Sequence, residues 1–173
     1  MNETFLIKRI RKESSDVMSI FFDWEAEARP GQFVMVCIPG VDEVPMSLSS
    51  IGQEKSISVK AIGETTRLLH TLREGDPINI RGPYGNGFQT QGKLLIIGGG
   101  VGMAAMMPLL RLTGADLVMG ARKEDELVFL DECQHLSQNV RVSTDDGSAG
   151  FHGNAVQLMN QVLDEESYDM VAA

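Results

Sequence analysis

The sequence predicts a two-part β + α/β protein: a small antiparallel six-stranded barrel over residues 1–90, then a parallel-sheet α/β domain over residues 91–173. Three observations predict it. Six short stretches rich in β-branched residues, separated by turn signals, fill the first half, as in a small antiparallel barrel or sandwich. After Gln91 apolar runs alternate with helical patterns, which calls for a parallel sheet with helices on its faces. The first of those runs ends in Gly98, Gly99 and Gly100, and Gly102 opens the helix that follows.

In chain order, strands are expected at residues 4–10, 17–22, 32–38, 46–51, 56–62 and 76–81. Arg29-Pro30-Gly31 and Ile38-Pro39-Gly40 fit tight turns between them. GETTRLLHTLREGD is the exception in this half. Gly63, Thr65 and Thr66 read as a helix start, Leu68, Leu69 and Leu72 as one apolar face, and Gly75 as the stop. The second half reads as strands at 93–97, 116–119, 140–143 and 168–172, with helices at 103–112, 130–136 and 154–163.

Composition bounds the function. With 43% hydrophobic and 23% charged residues the chain is an ordinary globular protein, which excludes disorder, collagen and coiled coil. Its net charge of -9 argues against nucleic acid or anionic lipid as partners. The charge is uneven: residues 1–120 hold 12 bases and 13 acids, whereas residues 121–173 hold 3 bases and 11 acids. A phosphate-bearing ligand must therefore meet the first two thirds, or backbone dipoles. Cys37 and Cys133 lack the spacing of a disulfide framework or metal site. No run approaches the roughly 18 apolar residues of a membrane span, so a cytoplasmic location is expected. The ten methionines read chiefly as core filler.

Three glycine-rich constellations carry chemistry. In IIGGGVGMAAMM, backbone at Gly98, Gly100 and Gly102 can approach a pyrophosphate because no Cβ intervenes, and the helix start offers free amides. The alternative is a tight strand-to-helix connection. Gly63-Glu64-Thr65-Thr66 is either an anion cradle near Lys60 and Arg67 or a plain helix cap. The third, Thr144-Asp145-Asp146-Gly147-Ser148-Ala149-Gly150-Phe151-His152-Gly153, lies on the edge where open α/β sheets bind ligands. Its carboxylates could hold ribose hydroxyls or cap the next helix, and no metal site is expected. His152 is the histidine nearest a candidate site; His70 and His135 read as surface or packing residues.

The order of these motifs resembles the ferredoxin reductase superfamily along nearly the whole chain. PGQFVMVCIPGVDEVPMSLSS is similar to its flavin-binding stretch, GETT to its pyrophosphate-binding helix start, GPYGNGF to the loop closing its barrel, and GGGVGMAAMMPLL to its nicotinamide nucleotide loop. More narrowly, PGVDEVPMSLS with STDDGSAGFHG resembles the electron-transfer subunit of NAD-linked dihydroorotate dehydrogenase.

The resemblance implies a flavin-binding barrel followed by a nicotinamide nucleotide-binding domain. It implies that Pro45, Met46 and Ser47 run along an FAD ring, with Ser47 near its reactive edge as the catalytic contact. Ser58, Val59 and Lys60 would flank the FAD, and Gly63, Thr65 and Thr66 would hold its pyrophosphate. Gly98, Gly99, Gly100 and Gly102 would take NAD(H), with Gly120, Ala121, Arg122, Thr144, Asp145 and Asp146 lining the crevice. Hydride would pass between nicotinamide and flavin N5, and single electrons would travel to a partner catalytic subunit oxidising dihydroorotate to orotate.

The sequence departs from the family in three places. Val44 and Met46 stand where relatives carry Arg and an aromatic, so thioether packing is expected in place of ring stacking, with Lys60 or Arg67 supplying the charge. Ala104-Ala105 replaces Ala-Pro after the glycine loop. The Cys-Gly-Pro motif and the four cysteines of the family's 2Fe-2S cluster are absent, so the domain is expected to be C-terminally truncated and unable to ligate the cluster. Two other readings stand beside this one: a flavin subunit of another reductase, of the sulfide dehydrogenase or ferredoxin-NADP reductase type, and a shortened, non-catalytic docking module.

Overall fold

A computed structural model describes residues 3–38, 41–137 and 139–173. The Ile38-Pro39-Gly40 turn lies outside the described residues. The chain divides into two compact units, Met1–Gly87 and Phe88–Ala173.

The first unit is a seven-stranded sheet, antiparallel throughout, in the order β1-β7-β4-β5-β6-β3-β2. Its strands are β1 (Glu3–Leu6), β2 (Arg9–Lys12), β3 (Val17–Asp23), β4 (Phe33–Cys37), β5 (Val44–Ile51), β6 (Glu54–Lys60) and β7 (Pro77–Tyr84). The seventh strand arises because the segment 4–10, expected as one strand, breaks at Ile7-Lys8. β1 pairs with β7 at one edge and β2 with β3 at the other. Two residues cannot span an open sheet of this width, so the sheet must curl until its edges meet. Ile7 sits at that seam: its amide donates to Asp76 O, its carbonyl accepts from Gly75, and its side chain is 1% exposed.

Alternation places Ile20, Phe22, Val34, Val36, Ile57, Val59, Ile78 and Ile80 in one interior cluster. Helix α1 (Glu64–Leu69) covers it with Leu69, which is fully buried. The helix is shorter than the sequence suggests. It ends at His70, whose Nε2 lies 2.8 Å from Val59 O, so Leu68 faces out at 36% exposure, and Leu72 packs on the cluster from beyond the helix.

The second unit is a parallel sheet in the order β11-β10-β9-β8-β12. It comprises β8 (Leu94–Gly99), α2 (Met103–Thr113), β9 (Asp116–Ala121), α3 (Leu130–Leu136), β10 (Val140–Thr144), β11 (Phe151–His152), α4 (Ala155–Glu165) and β12 (Met170–Ala172). Leu158 and Val162 of α4 pack on Leu95 and Val118. Buried Met107 of α2 meets Cys133 of α3 across 3.6 Å. From β8 the chain moves through β9 to β10 on one side, then returns to place β12 on the other. The carboxyl end of β8 is thus the switch point of the sheet, the position where open α/β folds bind ligands. Among the described residues no helix is long and apolar enough to cross a membrane.

Candidate functional site

In the first unit, β5 changes neighbours along its length. Val44, Pro45, Met46 and Ser47 pair with β4, whereas Leu48, Ser50 and Ile51 pair with β6. The β5–β6 ladder ends at Leu48↔Ile57, so Ser58, Val59 and Lys60 continue past it while β5 turns toward β4. The residues expected to flank FAD thus lie beyond the β5–β6 ladder, and α1 follows them in the chain.

Register fixes the side chains. Ser47 pairs with Phe33 on the outer face, is exposed, and has no hydrogen-bond partner for its hydroxyl among the described residues. Met46 pairs with Val34 and, like Val44, packs against the barrel interior rather than lying on the outer face with Ser47. Glu43, one residue before β5, grips Arg81 of β7 across β4 through bonds of 3.1 and 2.5 Å. That clamp holds the start of the Ser47 strand in place.

Ser58 differs from expectation in its side chain. It is 9% exposed, lies 2.7 Å from Ser19 Oγ and donates to Ser49 Oγ at 2.9 Å. The ladder of hydroxyls continues from Ser49 to Ser56 at 2.8 Å, and Ser19 donates to Glu13 at 2.5 Å. Only the backbone of Ser58 is left to face a ligand. Val59 is core, and Lys60 reaches Asp16 at 3.3 Å.

At the start of α1, Thr66 Oγ1 accepts from the amides of Gly63 at 2.8 Å and Ile62 at 3.0 Å. This cap leaves the amides of Glu64 and Thr65 without partners among the described residues. A Cβ on Gly63 would meet nothing closer than Thr66 Oγ1 at 3.8 Å, and its φ of -114° is open to any residue. The fold does not require glycine there. Arg67, exposed beside it, donates to Ile62 O at 3.1 Å.

The second unit sorts its glycines in the same way. Gly98 is structural: a Cβ would lie 2.5 Å from Met103 Sδ and 3.1 Å from Met103 Cα, so α2 could not pack on β8. Gly120 is structural too, because a Cβ would come within 2.6 Å of Ala155 Cβ. Gly99 and Gly102 are not. Nothing but Gly120 O at 3.9 Å lies near the first and nothing within 4 Å near the second, and both are exposed at the switch point. Gly100 has a φ of +49°, which suits glycine in the turn. Space kept free of side chains over a helix start fits a dinucleotide pyrophosphate.

Beyond β9, Arg122 forms three bonds of 2.9 to 3.0 Å with Glu126. Buried Thr144 closes the loop after β10, donating to Ala149 O and accepting from its amide. Asp146 accepts from the hydroxyl and amide of Ser148, bonds that hold its carboxyl below the usual carboxylate range. Asp145 is exposed and its carboxylate has no partner among the described residues. Sequence reasoning missed β11, whose two residues pair Phe151 with Ser143 inside the loop. Two pockets of ≈ 370 and ≈ 510 Å³ lie at the opposite, amino-terminal ends of the strands, around Asp116, and take no part in this site. Among the described residues no group of His, Cys, Asp and Glu could hold a metal ion.

No family model matches the sequence. A protein of Thermoplasma volcanium named "Probable dihydroorotate dehydrogenase B (NAD(+)), electron transfer subunit" is 43% identical, covering 92% of this chain and 63% of the relative. A protein of the same name in Methanothermobacter thermautotrophicus is 44% identical, covering 98% of this chain and 67% of the relative. The chain belongs to the family of dihydroorotate dehydrogenase B electron-transfer subunits. It spans slightly less than two thirds of the Thermoplasma volcanium member of that family. Among solved structures, an NADH-dependent reduced ferredoxin-NADP oxidoreductase, studied for flavin-based electron bifurcation, is 31% identical with a TM-score of 0.84 over 97% of this chain and 66% of that one. The ferredoxin reductase of carbazole 1,9a-dioxygenase, 18% identical with a TM-score of 0.81 over 94% of this chain and 57% of that one, shares the fold. This family member therefore has the ferredoxin reductase-like architecture of FAD- and NAD-binding reductases.

Proposed function

We propose that this chain is a flavoprotein subunit of an oxidoreductase, carrying electrons between NAD(H) and FAD in the oxidation of dihydroorotate to orotate in the cytoplasm, for pyrimidine biosynthesis. Residues 1–90 hold FAD, residues 91–173 hold NAD(H), and a dihydroorotate dehydrogenase catalytic subunit is the partner. The observation that carries the reading is the loop at the switch point, where Gly99 and Gly102 keep space open that the fold itself does not need. The names of the family members supply the substrate and partner.

Bound together, the two cofactors supply hydride transfer between nicotinamide and flavin. The protein's part is placement. The free amides of Glu64 and Thr65, with Gly63 and Arg67, receive the FAD pyrophosphate. The backbone of Ser58, Val59 and Lys60 borders the flavin, with Pro45 and Met46 along the facing strand, and the Ser47 hydroxyl offers a hydrogen bond at its reactive edge. The amides of the turn from Gly100 to Gly102 receive the nicotinamide dinucleotide. No general acid or base is required. The cysteines do not fit a 2Fe-2S centre: there are two, and Cys133 is fully buried against Met107.

A second reading rests on the bifurcating NADH-dependent oxidoreductase, which is also above 30% identical. It keeps FAD and NAD(H) and changes the partner. Purification with FAD followed by capture on immobilised dihydroorotate dehydrogenase catalytic subunit distinguishes the two. Yellow protein that binds the subunit supports the first reading, yellow protein that does not bind supports the second, and colourless protein that refuses FAD leaves a non-catalytic docking module.

A further inference from the structure

The sequence leaves the choice between NADH and NADPH open, because Arg122 and Lys123 sit among Glu124, Asp125 and Glu126. The structure resolves how these charges are spent. Gly99 of β8 and Gly120 of β9 are register partners, so Arg122 is the first residue past the strand that flanks the glycine loop. About twenty residues beyond such a loop is where dinucleotide domains meet the adenosine ribose, with an acid for the 2′-hydroxyl or an arginine for a 2′-phosphate.

Arg122 is already engaged by an acid. Its guanidinium donates through Nε and Nη2 to both oxygens of Glu126, at 3.0, 2.9 and 2.9 Å. Lys123 is likewise taken by Asp125 at 2.8 Å. Exposed ion pairs are usually loose, but this one has a fixed end. The Glu126 side chain is 17% exposed against 70% for Arg122. Its turn is stapled to the neighbouring loop: Glu124 N donates to Ser148 Oγ at 2.8 Å, Asp146 N to Arg122 O at 3.1 Å, and Asp145 N to Ala121 O at 3.0 Å. The base bends to an acid that stays put. The same staples bring Asp145 and Asp146 alongside, so the site carries two bases among five acids.

We propose that Glu126 is a specificity-determining residue which, by holding Arg122, excludes the 2′-phosphate and selects NADH over NADPH. This rests on the reading that the glycine loop binds a nicotinamide dinucleotide. A carboxylate field accepts hydrogen bonds from two ribose hydroxyls and repels a dianionic phosphate. Removing the Glu126 charge frees a planar guanidinium suited to bidentate phosphate binding.

The test is calorimetric titration of the full chain with NADH and with NADPH, comparing wild type, Glu126→Gln and the double variant Glu126→Gln with Arg122→Ala. The wild type should prefer NADH. In Glu126→Gln the ratio of NADPH to NADH affinity should rise on the order of tenfold, a single charge-assisted contact, and the double variant should lose that rise. An unchanged ratio in Glu126→Gln, or a rise that survives loss of Arg122, overturns the proposal while the nucleotide-binding reading stands. A wild type that binds neither dinucleotide overturns that reading, and the proposal with it.

Discussion

Replacing Gly102 by alanine separates what the fold needs from what a ligand needs. Gly102 has φ -59° and ψ -25°, helical values open to any residue, and a Cβ there would have no neighbour within 4 Å. Alanine loses less backbone entropy on folding than glycine, so the variant should be more stable by about 0.5–1 kcal/mol. A pyrophosphate lying on the loop would meet the new methyl, and a methyl forced into a close contact costs about 1–3 kcal/mol. NADH affinity should then fall by roughly 5- to 150-fold. Gly98→Ala is the control. Its Cβ would lie 3.1 Å from the Met103 Cα, which cannot swing aside as the thioether can, so that variant should lose about 1–3 kcal/mol of stability. Urea denaturation measures the first quantity and calorimetric NADH titration the second. A Gly102→Ala protein that binds NADH as tightly as the wild type would refute the close approach on which the loop assignment depends.

Other consequences can be checked independently. Ser47→Ala removes the unused hydroxyl beside Phe33 and should slow flavin reduction by NADH about tenfold, one hydrogen bond's worth, in stopped-flow absorbance; an unchanged rate takes Ser47 out of the chemistry. Lys55 faces the barrel interior at 4% exposure and, among the described residues, its ammonium meets only Gly52 O, so Lys55→Met should raise stability by about 1–2 kcal/mol. Burial holds the Lys55 pKa below that of free lysine. The unfolded chain therefore binds more protons between the two values, and wild-type stability should rise with pH across that alkaline window, a rise the variant lacks. Cys133 is fully buried and its thiol is pushed up to about 12 by desolvation, then by Glu132, so a thiol reagent near neutral pH should label Cys37 in the native protein and Cys133 only on unfolding. Equal native rates for the two would contradict the burial.

Much of this architecture was legible because local pattern and tertiary environment agree. The run from Leu94 to Ile97, buried or nearly so, reads as a buried parallel strand, and the structure pairs it on both sides, between β9 and β12. Where they disagree, the sequence misleads. FLIKRI contains no Gly, Pro, Asn or Asp to mark a turn, and what divides it at Ile7 is closure of the barrel, a long-range event with no local signature. Leu68, Leu69 and Leu72 look like one helical face, yet the hydrogen bond from His70 to Val59 helps end the helix before that face is complete. Ser56 and Ser58 look like a solvated strand face; they are buried because Ser19 and Ser49 supply partners from the two flanking strands. At the site, glycine positions were legible but their division into structural and ligand-facing was not, since that depends on where Met103 and Ala155 lie. The hold of Glu126 on Arg122 was within reach as an i, i+4 pair of opposite charge.

The central claim is that this chain brings FAD and NADH into electron exchange. Anaerobic mixing of the FAD-supplemented protein with NADH, followed at the flavin band near ~450 nm, tests it most directly. The account predicts a bound flavin that bleaches on NADH addition. Protein that takes up no FAD, or a bound flavin that stays oxidised under excess NADH, would contradict it.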